Sequence, residues 1–197
     1  GGIEVKIGDD DEVLLKGPTI TKGYYHRDAA NKDAFTEDGF FRTGDAGYIK
    51  DGELFLTDRI KDLFKTSNGK YIAPQLVESL ILVDKYIDQV AVIANERKFV
   101  SALIVPEFRL VEDWAKEHGI EFCSREDLCA NPKVNKMILD RVKTLQQQLA
   151  HYEQVKRITL IPHHFSMESG ELTNTLKIRR PVVYKNYKNE IDKMYEE

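Results

Sequence analysis

The sequence predicts an α+β fold in which a β-rich region precedes a small domain with a mixed sheet and flanking helices. In the first part of the chain, apolar and polar residues alternate between turn-forming residues. After residue 57, near-continuous apolar runs follow one another with segments of helical spacing. We therefore expect two parts, residues 1–57 and residues 58–197, with no internal repeat and no low-complexity linker.

Short strands and tight turns account for residues 1–57. Ile3, Val5 and Ile7 alternate with polar residues, and the aspartates at 9–11 predict a turn that leads back into a second strand. Asp51-Gly52 lies between two apolar runs, which is the strongest short signal for a β-hairpin. In this part we expect no helix other than one over residues 29–35.

Strands open the second part and form its centre. Ser67-Asn68-Gly69 predicts a second hairpin between two short apolar segments. The apolar runs 89–93 and 100–105 predict two paired and buried strands, and a further strand is predicted over 158–161. Together these segments predict a sheet at the core of residues 58–197.

Helices are predicted around this sheet. Pro74 stands at a favoured first position of a helix, and Gly119 ends another helix that covers 110–118. Asn131-Pro132 caps a long helix that reaches about residue 152. Pro181 begins a last helix.

Composition excludes several classes of protein. Charged residues make up 31% of the chain and hydrophobic residues 42%, which is typical of a globular protein rather than a disordered one. The net charge of -4 argues against nucleic acid as the main partner. We expect neither a membrane span nor a signal peptide. Cys123 and Cys129 are expected to be free thiols in a reducing cytoplasm, because two cysteines do not make a disulfide framework.

Three polar segments carry candidate chemistry. Arg42-Thr-Gly-Asp45 comes first, Asp58-Arg-Ile-Lys61 follows, and Thr173-Asn-Thr-Leu-Lys177 lies near the end of the chain. Taken singly, each has a structural interpretation, as a turn, an exposed charged connection and a solvated loop. Their order along the chain and their surroundings favour a functional interpretation.

In order, these segments resemble consecutive motifs of the adenylate-forming enzymes, a family that includes acyl-CoA synthetases, the adenylation domains of peptide synthetases and firefly luciferase. The resemblance covers nearly the whole chain through four motifs, GPTITKGYY at 17–25, FFRTGD at 40–45, LTDRIKDLFK at 56–65 and NGKYIAPQLVE at 68–78. The sequences KTSNGKYIAP and LTNTLKIRR are most similar to the long-chain fatty-acid–CoA ligase branch. Other branches usually have glycine where Leu176 precedes Lys177.

The resemblance implies a two-step reaction that uses a fatty acid, ATP, coenzyme A and Mg²⁺. A carboxylate attacks the α-phosphate of ATP to give acyl-AMP and pyrophosphate, and the thiol of coenzyme A then attacks the acyl-AMP. Between the steps the small C-terminal domain swings about a hinge. The family's phosphate loop, its magnesium-binding glutamate and most of its acyl pocket have no counterpart in this sequence. We therefore expect residues 1–57 to be the truncated β-rich end of the large N-terminal domain, the Mg²⁺ ligand to lie upstream, and the chain alone to be inactive.

Residues at motif positions receive roles from the resemblance. Asp45 is the expected ligand of the nucleotide's ribose hydroxyls, because a carboxylate is an acceptor-only group. Gly44 beside it leaves room for close approach, and Arg59 adds a donor to the ribose or a phosphate. Lys61 matches the hinge position, where many members of the family have aspartate.

The remaining roles concern the second hairpin and the lysine loop. Lys65 and Asn68 are expected on the face that serves thioester formation, and Gly69 and Lys70 are expected to bind the cofactor, Lys70 through a phosphate. Lys177 is the candidate catalytic residue, because a fixed ammonium where the carboxylate meets the α-phosphate stabilises the transition state of adenylation. We expect no metal ligand in this chain.

Alternatives stay open at this stage. One is an adenylating enzyme for another class of acid, medium-chain, aryl or amino, and another is a non-catalytic binding module of the same fold. The location is expected to be cytoplasmic, and a fatty-acid substrate allows peripheral contact with the inner face of a membrane. Exposed β edges of residues 1–57 allow the chain to pair with a second copy.

Overall fold

The computed structural model describes residues 2–196, without the side chains of Asp10 and Asp58. The chain forms two compact units, Gly1–Leu63 and Phe64–Glu197. Helices and strands occur together, which confirms the α+β class. The boundary that we predicted between residues 57 and 58 falls inside the last strand of the first unit.

A four-stranded antiparallel sheet forms the first unit. Its strands β1 (Glu4–Ile7), β2 (Glu12–Lys16), β3 (Phe41–Lys50) and β4 (Glu53–Arg59) lie in chain order, each hydrogen-bonded to the next. Helix α1 (Asp28–Ala34) connects β2 to β3, where the sequence predicted the one helix of this region. Strand β1 follows the predicted alternation, with Val5 and Ile7 partly buried and Glu4 and Lys6 exposed.

The predicted hairpin turn at Asp51-Gly52 joins β3 to β4. Both residues have positive φ, +53° and +83°, as the tight turns of β-hairpins require. After β4, a single 3₁₀ turn over Ile60–Asp62 contains Lys61, so the candidate hinge residue lies close to the end of the first unit.

The second unit begins with the predicted second hairpin, β5 (Phe64–Lys65) and β6 (Tyr71–Ile72). Its main sheet has three strands, β7 (Ile87–Ile93), β8 (Val100–Pro106) and β9 (Val155–Leu160). Strand β8 lies in the middle, antiparallel to β7 and parallel to β9, and every one of its residues is buried. A strand covered on both faces has a continuous apolar sequence, which is why the run at 100–105 predicted a buried strand.

Helices pack against this sheet. In chain order they are α2 (Pro74–Ile81), α3 (Phe108–Glu117), α4 (Arg125–Ala130), α5 (Pro132–Leu145), α6 (Arg180–Asn186) and α7 (Lys188–Lys193). Helix α4 was not predicted, although Ser124 caps it by accepting a hydrogen bond from the backbone N–H of Asp127. The predicted cap of α5 is confirmed, since Asn131 accepts hydrogen bonds from the first turn.

Helix α5 ends earlier than predicted, at Leu145 rather than near residue 152. Gln146 is only 1% exposed, and its side-chain amide both donates to and accepts from the backbone of Val155, at 2.8 Å in each case. These two hydrogen bonds satisfy the backbone N–H and carbonyl of Val155, the first residue of β9. A tertiary contact therefore ends the helix. The last predicted helix is also divided, because Tyr187 leaves helical geometry between α6 and α7.

Two further expectations concern thiols and membranes. Cys123 is exposed, Cys129 is buried and both are free, as predicted. Burial raises the pKa of Cys129 to about 12, so this thiol stays protonated at neutral pH. None of the described helices combines the length and the apolar composition that crossing a bilayer demands.

Replacing Gln146 with alanine should lower the free energy of unfolding of the second unit by about 2–4 kcal/mol, because two buried backbone groups of Val155 lose their partners. Denaturant unfolding followed by the fluorescence of the single tryptophan, Trp114 in α3, measures the change. The exposed neighbour Gln147 provides the matched control, and Gln147→Ala should have almost no effect. Equal effects of the two substitutions would contradict this account.

Candidate functional site

Asp45 and Arg59 lie side by side in the first unit. They are directly opposed residues of β3 and β4, and Nε of Arg59 is 3.4 Å from Oδ1 of Asp45. The Asp45 side chain is half-buried and that of Arg59 is mostly exposed. The structure therefore brings together a carboxylate that can accept from sugar hydroxyls and a guanidinium that can donate to an anion.

Buried Glu12 fixes this segment, and sequence reasoning missed it. Its Oε1 accepts a hydrogen bond from the backbone N–H of Gly44 at 3.1 Å, and its Oε2 accepts from Arg42 at 2.9 Å. Thr43 adds a bond from its hydroxyl to the backbone carbonyl of Val13 at 2.7 Å. The only signal for this role in the sequence is a carboxylate at the start of an apolar strand.

Gly44 has φ +71°, a conformation that glycine adopts without the steric cost of a Cβ. Apart from Gly44 and its two chain neighbours, no described residue has a heavy atom within 4 Å of the place where a Cβ would be. The space beside Asp45 is therefore open, and this glycine is needed in the chain for its backbone conformation.

Lys65, Asn68, Gly69 and Lys70 lie together on the β5–β6 hairpin and are all exposed. Gly69 has φ +74° at the turn. Backbone bonds across the turn, with Thr66 N–H donating to the carbonyl of Lys70 at 2.9 Å, close the hairpin. The hairpin thus presents two ammonium groups on one short and well-ordered element.

The loop between β7 and β8 holds the hairpin. Glu96 N–H donates to the carbonyl of Lys65 at 2.8 Å, and Ser67 N–H donates to the carbonyl of Arg97 at 3.0 Å. The ammonium of Lys70 lies 5.5 Å from the centre of the Tyr152 ring, within cation–π range. Tyr152, at the predicted end of the long helix, instead forms part of the surface near this lysine.

Lys177 lies in a separate, tightly closed loop. An isolated antiparallel bridge between Leu172 and Ile178 closes it. Inside the loop, Thr173 N–H donates to the carbonyl of Lys177 at 2.8 Å, and the Thr173 hydroxyl accepts from Lys177 N–H at 3.1 Å. Both backbone polar groups of Lys177 are therefore bonded to one residue, while its side chain is exposed.

Glu171 anchors the first end of this loop. It is buried, and its carboxylate accepts hydrogen bonds from Ser169 at 2.6 Å and from Asn186 of α6 at 3.0 Å. Its backbone carbonyl accepts from Arg179 N–H at 2.7 Å. The residues before and after the loop are thus tied to each other and to a helix.

Glu78 anchors the other end. Its carboxylate accepts two hydrogen bonds from Arg180, at 2.7 and 2.9 Å, and one from the backbone N–H of Val92 at 2.9 Å. Bidentate pairs of this kind fix geometry as well as charge. The sequence placed Glu78 on the predicted helix after Pro74 and gave no sign that its partner, Arg180, lies three residues after Lys177.

Leu176 has an unusual conformation. Five non-glycine residues of the described chain have positive φ, namely Asp11, His26, Asp51, Glu96 and Leu176. Leu176, with φ +59°, is the one aliphatic residue among them. Other branches of the family whose motifs this sequence resembles usually have glycine at this position. A glycine would adopt this conformation without strain.

Among residues 2–196, no group of three or more histidine, cysteine, aspartate or glutamate side chains is arranged to hold a metal ion.

Solved structures of adenylation domains share the fold of this chain. The adenylation domain of a carboxylic acid reductase from Segniliparus rugosus, solved with AMP and a co-purified carboxylic acid, matches with TM-score 0.64 and 25% identity over 93% of this chain and 28% of that one. The adenylation domain of a carboxylate reductase from Mycobacterium chelonae has the same fold, with TM-score 0.67 and 23% identity over 99% of this chain and 31% of that one.

Residues 61–197 match the family described as AMP-binding enzyme C-terminal domain, and the chain belongs to this family of adenylate-forming enzymes. Long-chain-fatty-acid–CoA ligase 1 of Homo sapiens is 37% identical over 94% of this chain. The protein of the same name in Schizosaccharomyces pombe is 36% identical over 94%. This chain spans only 27% and 28% of the lengths of these two ligases. The resemblance seen in the motifs is confirmed, whereas the roles of individual site residues stay predictions.

Glu78→Ala should lower the free energy of unfolding by about 3–5 kcal/mol, because it leaves the charge of Arg180 without its buried carboxylate partner. Denaturant titration monitored at Trp114 measures the loss. Asp140→Ala, which removes the exposed partner of Lys136, is the control and should cost no more than about 1 kcal/mol. If both substitutions cost the same, the Glu78 pair is not the anchor described above.

Proposed function

We propose that this chain is the C-terminal part of an ATP-dependent long-chain fatty-acid–CoA ligase. The observation that supports it most directly is an exposed lysine, Lys177, on a loop whose backbone is fixed by Thr173, in a chain that resembles long-chain ligases over nearly its whole length. The complete enzyme forms acyl-AMP and pyrophosphate, and then acyl-CoA and AMP. The chain alone does not catalyse the reaction.

In the first step, Lys177 acts on the charge that develops between the fatty-acid carboxylate and the α-phosphate. The carboxylate oxygen forms a bond to phosphorus, the bond to pyrophosphate breaks, and negative charge gathers around the α-phosphate. An ammonium held in place before the reaction stabilises this charge without reorganising, and such a donor is worth roughly 10²–10³ in rate. The closed loop fixes the backbone from which the Lys177 side chain extends.

Asp45 and Arg59 bind the nucleotide in this proposal. The carboxylate of Asp45 accepts from the ribose hydroxyls, and Arg59 directs a donor to the ribose or a phosphate. Glu12 holds the backbone beside them through Gly44. When bound, Mg²⁺ neutralises phosphate charge, and its ligands belong to the part of the enzyme upstream of this chain.

The second step uses other residues of the same chain. Lys61, in the turn Ile60–Asp62, is the hinge residue, because it stands where the first unit ends. Lys65 and Asn68 lie on the face that serves thioester formation, and Lys70, with Gly69 beside it, contacts a phosphate of the ligand. The thiol sulfur of coenzyme A bonds to the acyl carbon, and AMP leaves.

The proposal extends to location and association. The complete enzyme is cytoplasmic, and its fatty-acid substrate brings it to the inner face of a membrane. Pairing of this chain with a second copy would occur through the edge strands of the four-stranded sheet. The non-catalytic alternative has less support, since a module freed from catalysis has no need for Asp45, Arg59 and Lys177 together.

The substrate class is tested by measuring coenzyme A-dependent AMP release by the complete enzyme with acids from acetate to oleate, with benzoate and with amino acids. We expect the highest kcat/KM for long-chain acids. Preference for another acid would discard the long-chain assignment and keep the adenylating mechanism. No AMP release with any acid would favour the non-catalytic module.

Lys177→Ala in the complete enzyme should lower the rate of acyl-AMP formation by about 10²–10³-fold, because the fixed ammonium is lost. Conversion of supplied acyl-AMP to acyl-CoA should change little. Pyrophosphate release and thioester formation are measured separately. Lys116→Ala, which removes an exposed lysine of α3, is the matched control for a lost surface charge. Equal losses in both half-reactions would refute the assignment.

A further inference from the structure

We propose that the side chain of Leu176 contacts the alkyl chain of the fatty acid next to its reacting carboxylate, and so contributes to the selection of long-chain acids. The inference rests on the proposed function and adds to it a specificity residue outside the acyl pocket expected upstream. Three observations carry it: a strained backbone, an exposed apolar side chain and the position beside Lys177.

The backbone of Leu176 is held in the left-handed conformation by the loop itself. Its N–H donates to the carbonyl of Thr173 at 2.9 Å, and the next residue, Lys177, is bonded to Thr173 through both backbone groups. In this conformation the Cβ of an L-residue crowds its own carbonyl oxygen. The described residues that share it, apart from glycines, carry Asp, His or Glu side chains.

Packing within the chain does not offset this strain. The Leu176 side chain is 68% exposed, whereas its neighbours across the loop bridge, Leu172 and Ile178, pack against the core. The exposed Leu176 side chain is therefore available to an apolar group from outside its own unit. Residues held in sparsely populated backbone conformations cluster at active sites and ligand contacts.

The position of Leu176 indicates what that partner is. Leu176 directly precedes Lys177 on the same closed loop, and consecutive Cα atoms lie about 3.8 Å apart. A loop that brings Lys177 to a carboxylate therefore also brings the exposed Leu176 into the same site. In a fatty acid, the group attached to the carboxylate is an alkyl chain. The ammonium of Lys177 suits the carboxylate of the acid. The methyl groups of Leu176 suit the methylenes that follow that carboxylate.

The test compares Leu176→Ala and Leu176→Met in the complete enzyme, with pyrophosphate release measured on acetate, octanoate and palmitate. For Leu176→Ala we expect kcat/KM to fall about 10-fold with octanoate and palmitate and less than about twofold with acetate, since contact with one or two methylenes is worth about this much. Leu176→Met keeps an apolar side chain and should retain most of the long-chain activity.

Two control variants separate the side chain from its surroundings. Val83→Ala removes another exposed aliphatic side chain of the same unit and should leave every acid unaffected. Leu176→Gly removes the side chain and the strain together. It should reproduce the chain-length effect of Leu176→Ala and raise the melting temperature of the chain relative to that variant.

The outcomes are distinguishable. An equal loss with all three acids would show that Leu176 supports the loop or contacts protein, and would overturn the inference. So would an unchanged chain-length profile in Leu176→Ala. Failure of the proposed function is seen in the wild-type enzyme instead, as the absence of turnover with long-chain acids. A wild-type enzyme that uses no alkyl acid would refute both the proposed function and the inference about Leu176.

Discussion

The bidentate pair between Glu78 and Arg180 is the interaction on which the second unit's candidate site depends. Both side chains are largely buried, and Glu78 also accepts from Val92, so one carboxylate joins α2, β7 and the start of α6. A charge pair removed from water is tolerated only when its hydrogen bonds are satisfied in good geometry. That requirement gives the segment after Lys177 a defined position rather than a range of positions.

The same constraint recurs in the first unit. Glu12 is buried, and it meets its need for donors with the guanidinium of Arg42 and the N–H of Gly44, both in the segment that carries Asp45. In both units, a buried acid on a rigid element orders a polar segment that would otherwise be a flexible turn. The candidate site residues are then held by neighbouring side chains that are not themselves candidate ligands, which is the arrangement that preorganised sites require.

The sequence predicted local features far better than these anchors. Strands β7 and β8 and the two hairpins follow from apolar runs and turn residues, and the order of motifs located Asp45 and Lys177. The predicted end of α5 was wrong because the side chain of Gln146 is hydrogen-bonded to the backbone of Val155, a residue in the next strand. Glu78 escaped detection for the same physical reason, since its partner is 102 residues away and only folding brings the two together.

The closed loop around Lys177 bears on how a two-step reaction is organised. If the loop were disordered between steps, each adenylation would include the cost of ordering it, about 1–2 kcal/mol for every residue fixed. Thr173 already holds both backbone groups of Lys177, so that ordering belongs to folding and not to turnover. In the proposed reaction, the ammonium therefore enters and leaves by reorientation of its whole unit. The conformational change is then confined to the hinge, where a few residues absorb it. The backbone of the loop around Lys177 keeps the same geometry in every cycle.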